Sequence, residues 1–340
     1  MLIDCIDIRW DEYIKRLPVE KRDIYYSREY CQMEEHQEGG RAQLFVYEEE
    51  NDIAVYPFIK NEIYRDYLEK IYYDIRTPYG YGGPVSSTED EAFIQCFEAN
   101  FLEYCQKSDI IAEFIRFHPL IQNEYLFRNN IDILHNRSTV WLDLTQDIDK
   151  IWINEVSRQN RNTIRKCEKN QLTVSVSDDY DEFVAIYNAT MEKVSADDFY
   201  YFDEDYYNQI RNSDKYVLLC VKQGEEILAM AIFMGYGDYF HYHLAGSKKE
   251  SLHLSPNNIL LWEAIKYGKE HGYKKMHFGG GLTDSMEDNL FRFKSKYSKT
   301  YTDFYIGKRV HNQEVYDKLI DEWEREHNKK AFLLLHYSEK

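Results

Sequence analysis

The hydrophobic pattern of residues 239–281 predicts a strand, a helix and a second strand. Residues 239–246 alternate between the two faces of a β-strand, and residues 274–278 form a second short strand. Residues 256–271 have apolar and small residues at helical spacing, and the positions that would face a sheet are Leu261, Ala264, Ile265 and Gly268. A right-handed crossover of this kind joins parallel neighbours, so we expect the two strands to pair in parallel.

The ends of this helix carry clear signals. Ser255 is a good N-cap, Pro256 suits the first helical position, and Gly272 is typical of the residue just past a helix end. The glycines 279–281 follow the second strand and would let a ligand approach the backbone closely. The first amides of the helix offer an anion site at the same edge of the sheet.

The two halves of the chain repeat one order of predicted elements: helices, a hairpin, a further strand, a loop, a helix and a strand. The predicted hairpins are residues 43–59 and 216–233. We therefore expect an α/β fold of two tandem domains, residues 1–145 and residues 146–340, the second ending in a C-terminal helix. Each domain should have a mixed, mostly antiparallel central sheet flanked by helices.

Two segments have both a structural and a functional interpretation. The loop TPYGYGGPV (77–85) is either a tight turn that needs positive φ or a backbone contact for a ligand. The predicted helix 149–169 is apolar on one face and basic on the other, where Arg158, Arg161, Arg165 and Lys169 cluster. That basic face is either solvated or in contact with phosphates or nucleic acid.

Composition excludes several classes of protein. A net charge of −18 over 340 residues argues against a dedicated nucleic-acid binder with a broad basic surface. No apolar run reaches the length of a membrane span, and the N-terminus lacks the features of a signal peptide. The six cysteines are scattered without C-x-x-C pairs, which favours a reduced, cytoplasmic setting over disulfides or a zinc ribbon.

Other chemistries have weaker support in the sequence. His241, His243 and His277 could form a three-histidine metal site, but strand histidines more often make ordinary hydrogen bonds, and no metal is expected. No nucleophile elbow is present, and the glycines 279–281 lack dinucleotide-binding spacing, so no cofactor is expected. An amine that attacks an activated ester needs positioning, loss of a proton and stabilisation of the developing oxyanion, and a lysine can supply the last.

Several spaced motifs resemble those of the Fem family of peptidoglycan-bridge aminoacyltransferases within the GNAT acyltransferase superfamily. They are TPYGYGGP (77–84), IRFHPL (115–120), RNTIRKCEKN (161–170), YHLAGS (242–247), LSPNNILLWEAI (254–265), HFGGG (277–281) and FRFK (291–294). The resemblance covers nearly the whole chain. It implies two GNAT-like domains and amide formation from aminoacyl-tRNA onto an amine of a nucleotide- or lipid-linked cell-wall precursor.

The chain departs from its relatives at two places. No sustained heptads are present, so the coiled-coil arm of some Fem members has no counterpart. Coenzyme-A-using relatives hold the pyrophosphate with a glycine-rich loop before the central helix, but this chain has LHLSPNN there. The second departure weakens the alternative of an acyl-CoA donor.

The resemblance also implies roles for individual residues. Lys294 matches the family lysine near the reacting carbonyl, whereas without the resemblance it would be interpreted as a surface charge. The expected substrate contacts are Tyr79, Gly80, Tyr81, Gly82, Arg116, His118, Arg161, Arg165, Tyr242, His243, Asn257, Asn258, Gly279 and Gly280. Two alternatives stay open: an N-acyltransferase that uses acyl-CoA or acyl-carrier protein on an amino sugar or polysaccharide precursor, and a non-catalytic protein that binds cell-wall fragments. A peripheral membrane contact also stays open.

Overall fold

Residues 1–338 are described by the computed structural model of the protein, which has a mixed α/β fold. The α-helices, in chain order, are α1 (Arg9–Arg16), α2 (Arg28–Glu38), α3 (Glu91–Lys107), α4 (Ile148–Lys150), α5 (Arg158–Lys169), α6 (Tyr180–Lys193), α7 (Glu204–Arg211), α8 (Pro256–Glu270), α9 (Asn289–Lys294) and α10 (Gln313–His327). The strands are β1 (Leu2–Asp4), β2 (Arg41–Glu49), β3 (Asp52–Ile63), β4 (Tyr72–Arg76), β5 (Val85–Ser86), β6 (Ile110–Arg116), β7 (Asp132–Asp143), β8 (Leu172–Ser177), β9 (Tyr216–Gln223), β10 (Glu226–Tyr236), β11 (Tyr239–Ser247), β12 (Lys275–Gly279) and β13 (Thr300–Val310).

The chain divides into two compact units. The first unit combines Met1–Asn136 with the described residues from Asp303 onwards, and the second unit is Arg137–Thr302. These ranges correct the predicted boundaries, which gave residues 303–340 to the second domain. The physical reason is strand pairing: β13 pairs with β6, from Ile306 opposite Arg116 to Val310 opposite Ala112.

The sheet of the first unit has the order β1-β2-β3-β4-β6-β13, with β5 paired to β3. β4 and β6 are parallel and are joined by α3, while the other neighbours are antiparallel. An aromatic core packs α3 against this sheet through Phe45, Tyr56, Phe97, Phe101 and Phe127. α10 also belongs to this unit, because its Val315 and Leu319 pack with Ile111 and Ala112 of β6.

The sheet of the second unit has the order β7-β12-β11-β10-β9-β8. β11 and β12 are parallel, as predicted, and α8 connects them. The aliphatic face of α8 packs on the sheet, and Gly268 lies so close to it that a Cβ there would come within 2.9 Å of the Phe240 ring. Gly272 has a φ of +83°, which fits its predicted position past the helix end.

Two helix starts differ from the predictions. Ser255 makes no side-chain cap and instead has left-handed backbone angles, because a 3₁₀-helix, Lys249–Leu254, leads directly into Pro256. The helix predicted over 149–169 is interrupted: α4 and a π-helical turn, Ile151–Glu155, end at Val156, where the backbone is extended. Ser157 then caps α5 by accepting a hydrogen bond from the Asn160 amide.

Within residues 1–338, no helix is both long and apolar enough to cross a membrane.

Candidate active site

A wedge opens in the sheet of the second unit between β11 and β12. The two strands pair over only three residues each, ending at His241 opposite His277. β11 then continues to Ser247 and β12 to Gly279, and no further pair joins them in the described chain. A bulge between His277 and Gly279 and the positive φ of Gly279, +78°, accompany the divergence of β12. The wedge exposes strand backbone to a ligand at the carboxyl end of a parallel pair.

Lys294 is a charged side chain at this wedge. α9 carries it, and its Nζ donates a hydrogen bond to the Gly280 carbonyl at 2.7 Å and lies 5.9 Å from the centre of the Tyr242 ring. Gly280 follows the end of β12, and Tyr242 is the first residue of β11 beyond the last pair. The amine therefore lies between the diverging strands.

Burial controls the charge of this lysine. Lys294 is 8% exposed. Removal from water lowers the pKa of Lys294 to about 7, although the carboxylate of Asp288 raises it and the guanidinium of Arg137 lowers it further. The group can therefore change its charge near neutral pH, which is unusual for a lysine.

The histidines of the wedge are bound within the protein. The Nε2 atom of His243 lies 2.7 Å from the Tyr206 hydroxyl, and that of His277 lies 3.0 Å from the Thr139 hydroxyl. Burial and then the neighbouring His241 lower the pKa of His243 to about 3, so it is neutral at physiological pH. No group of three or more His, Cys, Asp or Glu side chains in residues 1–338 is arranged to hold a metal ion.

The start of α8 is covered by α5. The Cys167 thiol donates to the Leu254 carbonyl at 3.3 Å, and the Asn258 side-chain amide donates to the Asn160 side-chain oxygen at 2.6 Å. The Asn258 backbone amide bonds the Ser255 carbonyl. Asn258 therefore has a structural role, and its role as a substrate contact stays a prediction.

Asn257 differs from its neighbour. Its side-chain oxygen is buried and has no hydrogen-bond partner in the described chain, and its role as a substrate contact stays a prediction.

The basic face of α5 is smaller than predicted. The Arg161 guanidinium donates to the carbonyls of Trp152 and Ile153 at 3.1 and 2.9 Å and so stabilises the end of the preceding turn. Arg165 is exposed, and its guanidinium lies 5.6 Å from the centre of the Trp152 ring. The geometry thus favours a structural role for Arg161 and leaves Arg165 available to a partner.

The glycine-rich loop of the first unit is held by hydrogen bonds. The Gly82 amide donates to the Arg116 carbonyl at 2.7 Å, and the Arg116 amide donates to the Thr77 hydroxyl at 3.0 Å. The parallel pair β4 and β6 is therefore extended by the loop rather than opened into a wedge. Gly80 has a φ of +88°, and a Cβ there would lie 2.5 Å from the Tyr25 ring. Turn geometry thus explains the glycines, while the side chains of Tyr79, Tyr81 and Arg116 stay partly exposed.

His118 is fully buried. Its Nε2 atom lies 2.8 Å from the Asp23 carboxylate, and its Nδ1 atom accepts from the amides of Leu120 and Ile121 at 3.2 and 3.1 Å. Since Nδ1 is an acceptor, Nε2 carries the proton and donates it to Asp23. This arrangement favours a structural role for His118 over the predicted substrate contact.

Sequence reasoning missed one unusual group in the first unit, Glu34 of α2. The side chain is 2% exposed, and its Oε2 atom has no partner within the described residues. Burial and the nearby Glu38 carboxylate raise the pKa of Glu34 to about 8, although the charge of Arg116 lowers it. Because α2 is rich in acids, no sequence signal distinguishes this glutamate from its neighbours.

Comparison with known proteins agrees with this architecture. Residues 155–295 match the model of an acetyltransferase (GNAT) domain. The fold is similar to that of FemX, with a TM-score of 0.72 at 15% identity over 94% of this chain and 99% of FemX. No curated protein matches the sequence.

Two further structures share the fold at lower similarity. The C-terminal domain of a protein assigned as a lysylphosphatidylglycerol synthetase, from Agrobacterium fabrum, has a TM-score of 0.57 at 14% identity, over 90% of this chain and 93% of that domain. L-PGS from Bacillus licheniformis has a TM-score of 0.52 at 16% identity, over 79% of this chain and 84% of that structure.

The segment that matches the acetyltransferase (GNAT) domain model, residues 155–295, contains the wedge and Lys294. The domain match supports an acyltransferase, the fold is similar to that of FemX, and the predicted fold class is confirmed.

Proposed function

We propose that the protein transfers an aminoacyl group from aminoacyl-tRNA to an amine of a cell-wall precursor and so forms an amide bond. The position of Lys294 is the main observation behind this proposal. A buried, ionisable amine at the open end of the β11–β12 wedge is suited to an oxygen that becomes negative during the reaction.

In the proposed reaction the acceptor amine attacks the ester carbonyl of the donor. The new C–N bond forms as negative charge develops on the carbonyl oxygen, which protonated Lys294 stabilises. The intermediate then collapses, the C–O bond to the ribose breaks, and the ribose hydroxyl leaves with a proton. The amine must lose its own proton to water or substrate, because a pKa of about 3 makes His243 too weak a base.

The start of α8 supports tRNA over acyl-CoA as the donor. A pyrophosphate needs several backbone amides that point into one cradle. Pro256 has no amide hydrogen, and the amides of Ser251, Ser255 and Asn258 bond the carbonyls of Lys248, Leu252 and Ser255. The side of α8 next to these residues is covered by α5. A glycine-free turn of this kind offers little to a pyrophosphate.

The exposed part of the basic face of α5 is the proposed contact for tRNA phosphates. Arg158, Arg165, Lys166 and Lys169 are exposed on this helix. Four unburied cations on one helix of a chain with a net charge of −18 are suited to a polyanion. Aminoacyl-tRNA would supply that polyanion and would place the reaction in the cytoplasm.

The proposed acceptor is the peptide of a nucleotide- or lipid-linked cell-wall precursor. The similarity of the fold to FemX supports this class, and Tyr79, Tyr81 and Arg116 of the first unit are the proposed contacts. The similarity to the C-terminal domain of a protein assigned as a lysylphosphatidylglycerol synthetase makes a lipid acceptor the second candidate.

Parallel transfer assays test the proposal. The purified protein is offered labelled aminoacyl-tRNAs or labelled acyl-CoAs, each with a nucleotide-linked muropeptide or with phosphatidylglycerol vesicles. We expect transfer from aminoacyl-tRNA to the muropeptide only. Transfer from acyl-CoA alone would show that acyl-CoA, not aminoacyl-tRNA, is the donor. Transfer to the vesicles alone would show that the acceptor is a lipid. Binding without turnover in every combination would favour a non-catalytic role.

A further inference from the structure

The loop between the glycines of β12 and the helix that carries Lys294 is clamped by two oppositely charged side chains. Both of them also lie close enough to influence the lysine amine. We propose that Asp288 and Arg137 are positioning residues for Lys294, which fix the loop from Gly280 to Asp288 and jointly set the charge of the lysine. This inference rests on the proposed role of Lys294 in acyl transfer.

Asp288 binds both ends of its own loop. One carboxylate oxygen accepts from the amides of Leu290 and Phe291 at 2.9 and 3.0 Å and so caps α9. The other accepts from the amides of Leu282 and Thr283, each at 3.2 Å. The same carboxylate therefore holds the helix that carries Lys294 and the chain that follows its hydrogen-bond acceptor, Gly280.

The glycines fit tightly against this clamp. A Cβ on Gly281 would lie 2.5 Å from an Asp288 oxygen, and a Cβ on Gly280 would lie 2.9 Å from the Arg137 side chain and 3.1 Å from the Ser138 carbonyl. A larger residue at either position would force these neighbours to shift. The hydrogen bond from Lys294 to the Gly280 carbonyl then closes the segment at 2.7 Å.

Arg137 holds the same loop from β7. Its guanidinium donates to the carbonyls of Gly281 and Leu282 at 2.7 and 3.2 Å. Its charge disfavours the protonated form of Lys294, whereas the charge of Asp288 favours it. The Tyr242 ring also lies near the amine, and burial keeps its hydroxyl un-ionised by raising its pKa. The loop is thus built from two opposing charges around a buried lysine.

The test measures the titration of Lys294 in the free protein. Lysine labelled with ¹³C at Cε is followed by NMR as the pH is varied, and Lys294→Met identifies the signal. We expect Asp288→Asn to move the midpoint to lower pH and Arg137→Met to move it to higher pH, each by about one pH unit. Asparagine caps helices as well as aspartate does, so α9 should persist in the first variant.

Glu287→Gln is the matched control. It removes one negative charge from the adjacent residue, but Glu287 is exposed and pairs with Arg292 at 3.0 Å. Its titration curve for Lys294 should match that of the unmodified protein. Thermal unfolding checks that each variant is folded. If Asp288→Asn does not fold, the Arg137→Met variant alone tests the proposal: a midpoint for Lys294 at higher pH supports it, and any other result refutes it. Unchanged midpoints, or shifts in the same direction, would refute the assignment of opposing charges.

Activity supplies a second readout. If the midpoint of Lys294 lies about one pH unit lower, Asp288→Asn should have about fivefold lower turnover at pH 7, because Lys294 is protonated in a smaller fraction of the molecules. Arg137→Met should keep its activity to higher pH. The NMR titration needs neither donor nor acceptor. Opposite shifts without turnover on any donor would therefore refute the proposed function and leave the clamp intact, whereas turnover without shifts would refute the clamp alone.

Discussion

Lys294 shows how a single buried charge can be suited to catalysis and unfavourable for folding. A lysine amine removed from water is destabilised while it is charged, and its hydrogen bond to the Gly280 carbonyl compensates only in part. Such a group has the strongest interaction with an anion that forms beside it, because little water screens the pair. The unfavourable burial is thus consistent with a role in the transition state.

We predict that Lys294→Met lowers turnover by about a hundredfold to a thousandfold, as does loss of one oxyanion donor, and changes acceptor binding much less. Methionine keeps the length of the apolar chain and removes the charge. Single-turnover transfer and a separate binding titration measure the two effects. Lys296→Met is the control, since Lys296 contacts Phe293 rather than the wedge, and equal losses in both variants would remove Lys294 from the mechanism.

The same lysine predicts the pH dependence. Because the protonated form stabilises the oxyanion, its contribution is complete well below the pKa of about 7 and is lost as the pH rises through that value. The profile of kcat/KM should therefore fall on its alkaline side near pH 7, and this fall should be absent in Lys294→Met. A fall near pH 10 would mean that the lysine is solvated, as free lysine is.

Among the helices and strands, the sequence predicted those features that depend on residues close together in the chain. The extent of α8 and its flanking parallel strands followed from periodicity and from Pro256 and Gly272. The break in the helix predicted over 149–169 was not foreseen, because Val156 and Ser157 do not interrupt the apolar spacing. At the break, Arg161 donates hydrogen bonds to carbonyls of the preceding turn, which the apolar spacing does not predict.

Arg161 and Arg165 of α5 should therefore respond differently to substitution. Arg165→Gln should weaken tRNA binding and reduce its salt dependence while leaving stability unchanged, because Arg165 is exposed. Arg161→Gln should destabilise the protein by roughly 1–3 kcal/mol, because the carbonyls of Trp152 and Ile153 lose a charged donor. Salt-dependent binding and urea unfolding measure the two effects. The reverse pattern would mean that Arg161 faces the partner.

For the whole molecule, the sequence predicted two domains but not the path of the chain between them. The repeated order of elements suggested that each domain is continuous. In the structure β7, which follows β6 in the chain, pairs with β12 of the second unit. β13 comes later in the chain and pairs with β6 of the first unit. Periodicity cannot reveal this arrangement, because the apolar alternation along a strand does not identify the strand with which it pairs. The relevant information lies in buried partners that are far apart in sequence.

Arg309 of β13 is the clearest such partner. It is 2% exposed, and its guanidinium lies 2.7 Å from the Glu98 carboxylate and 3.5 Å from that of Glu113. Burial alone would raise the pKa of Glu113, but the charges and hydrogen bonds of Arg309 and His311 outweigh it and lower the pKa. The C-terminal strand thus neutralises two acids in the interior of the first unit.

We predict that Arg309→Met destabilises the first unit by about 3–5 kcal/mol at neutral pH, because buried carboxylates lose their cation. Hydrogen exchange should show lost protection in α3 and β6 but not in α8. Since the pKa of Glu113 lies below its ordinary 4.5 in the folded protein, this stabilisation is complete above that pH and is lost as the pH falls through the lowered value. The difference in free energy of unfolding between the unmodified protein and Arg309→Met should therefore become smaller in acid.

Arg292→Met is the control. It breaks an exposed pair with Glu287 and should lower the free energy of unfolding by less than about 1 kcal/mol. An equally small loss in Arg309→Met would mean that β13 contributes little to the first unit.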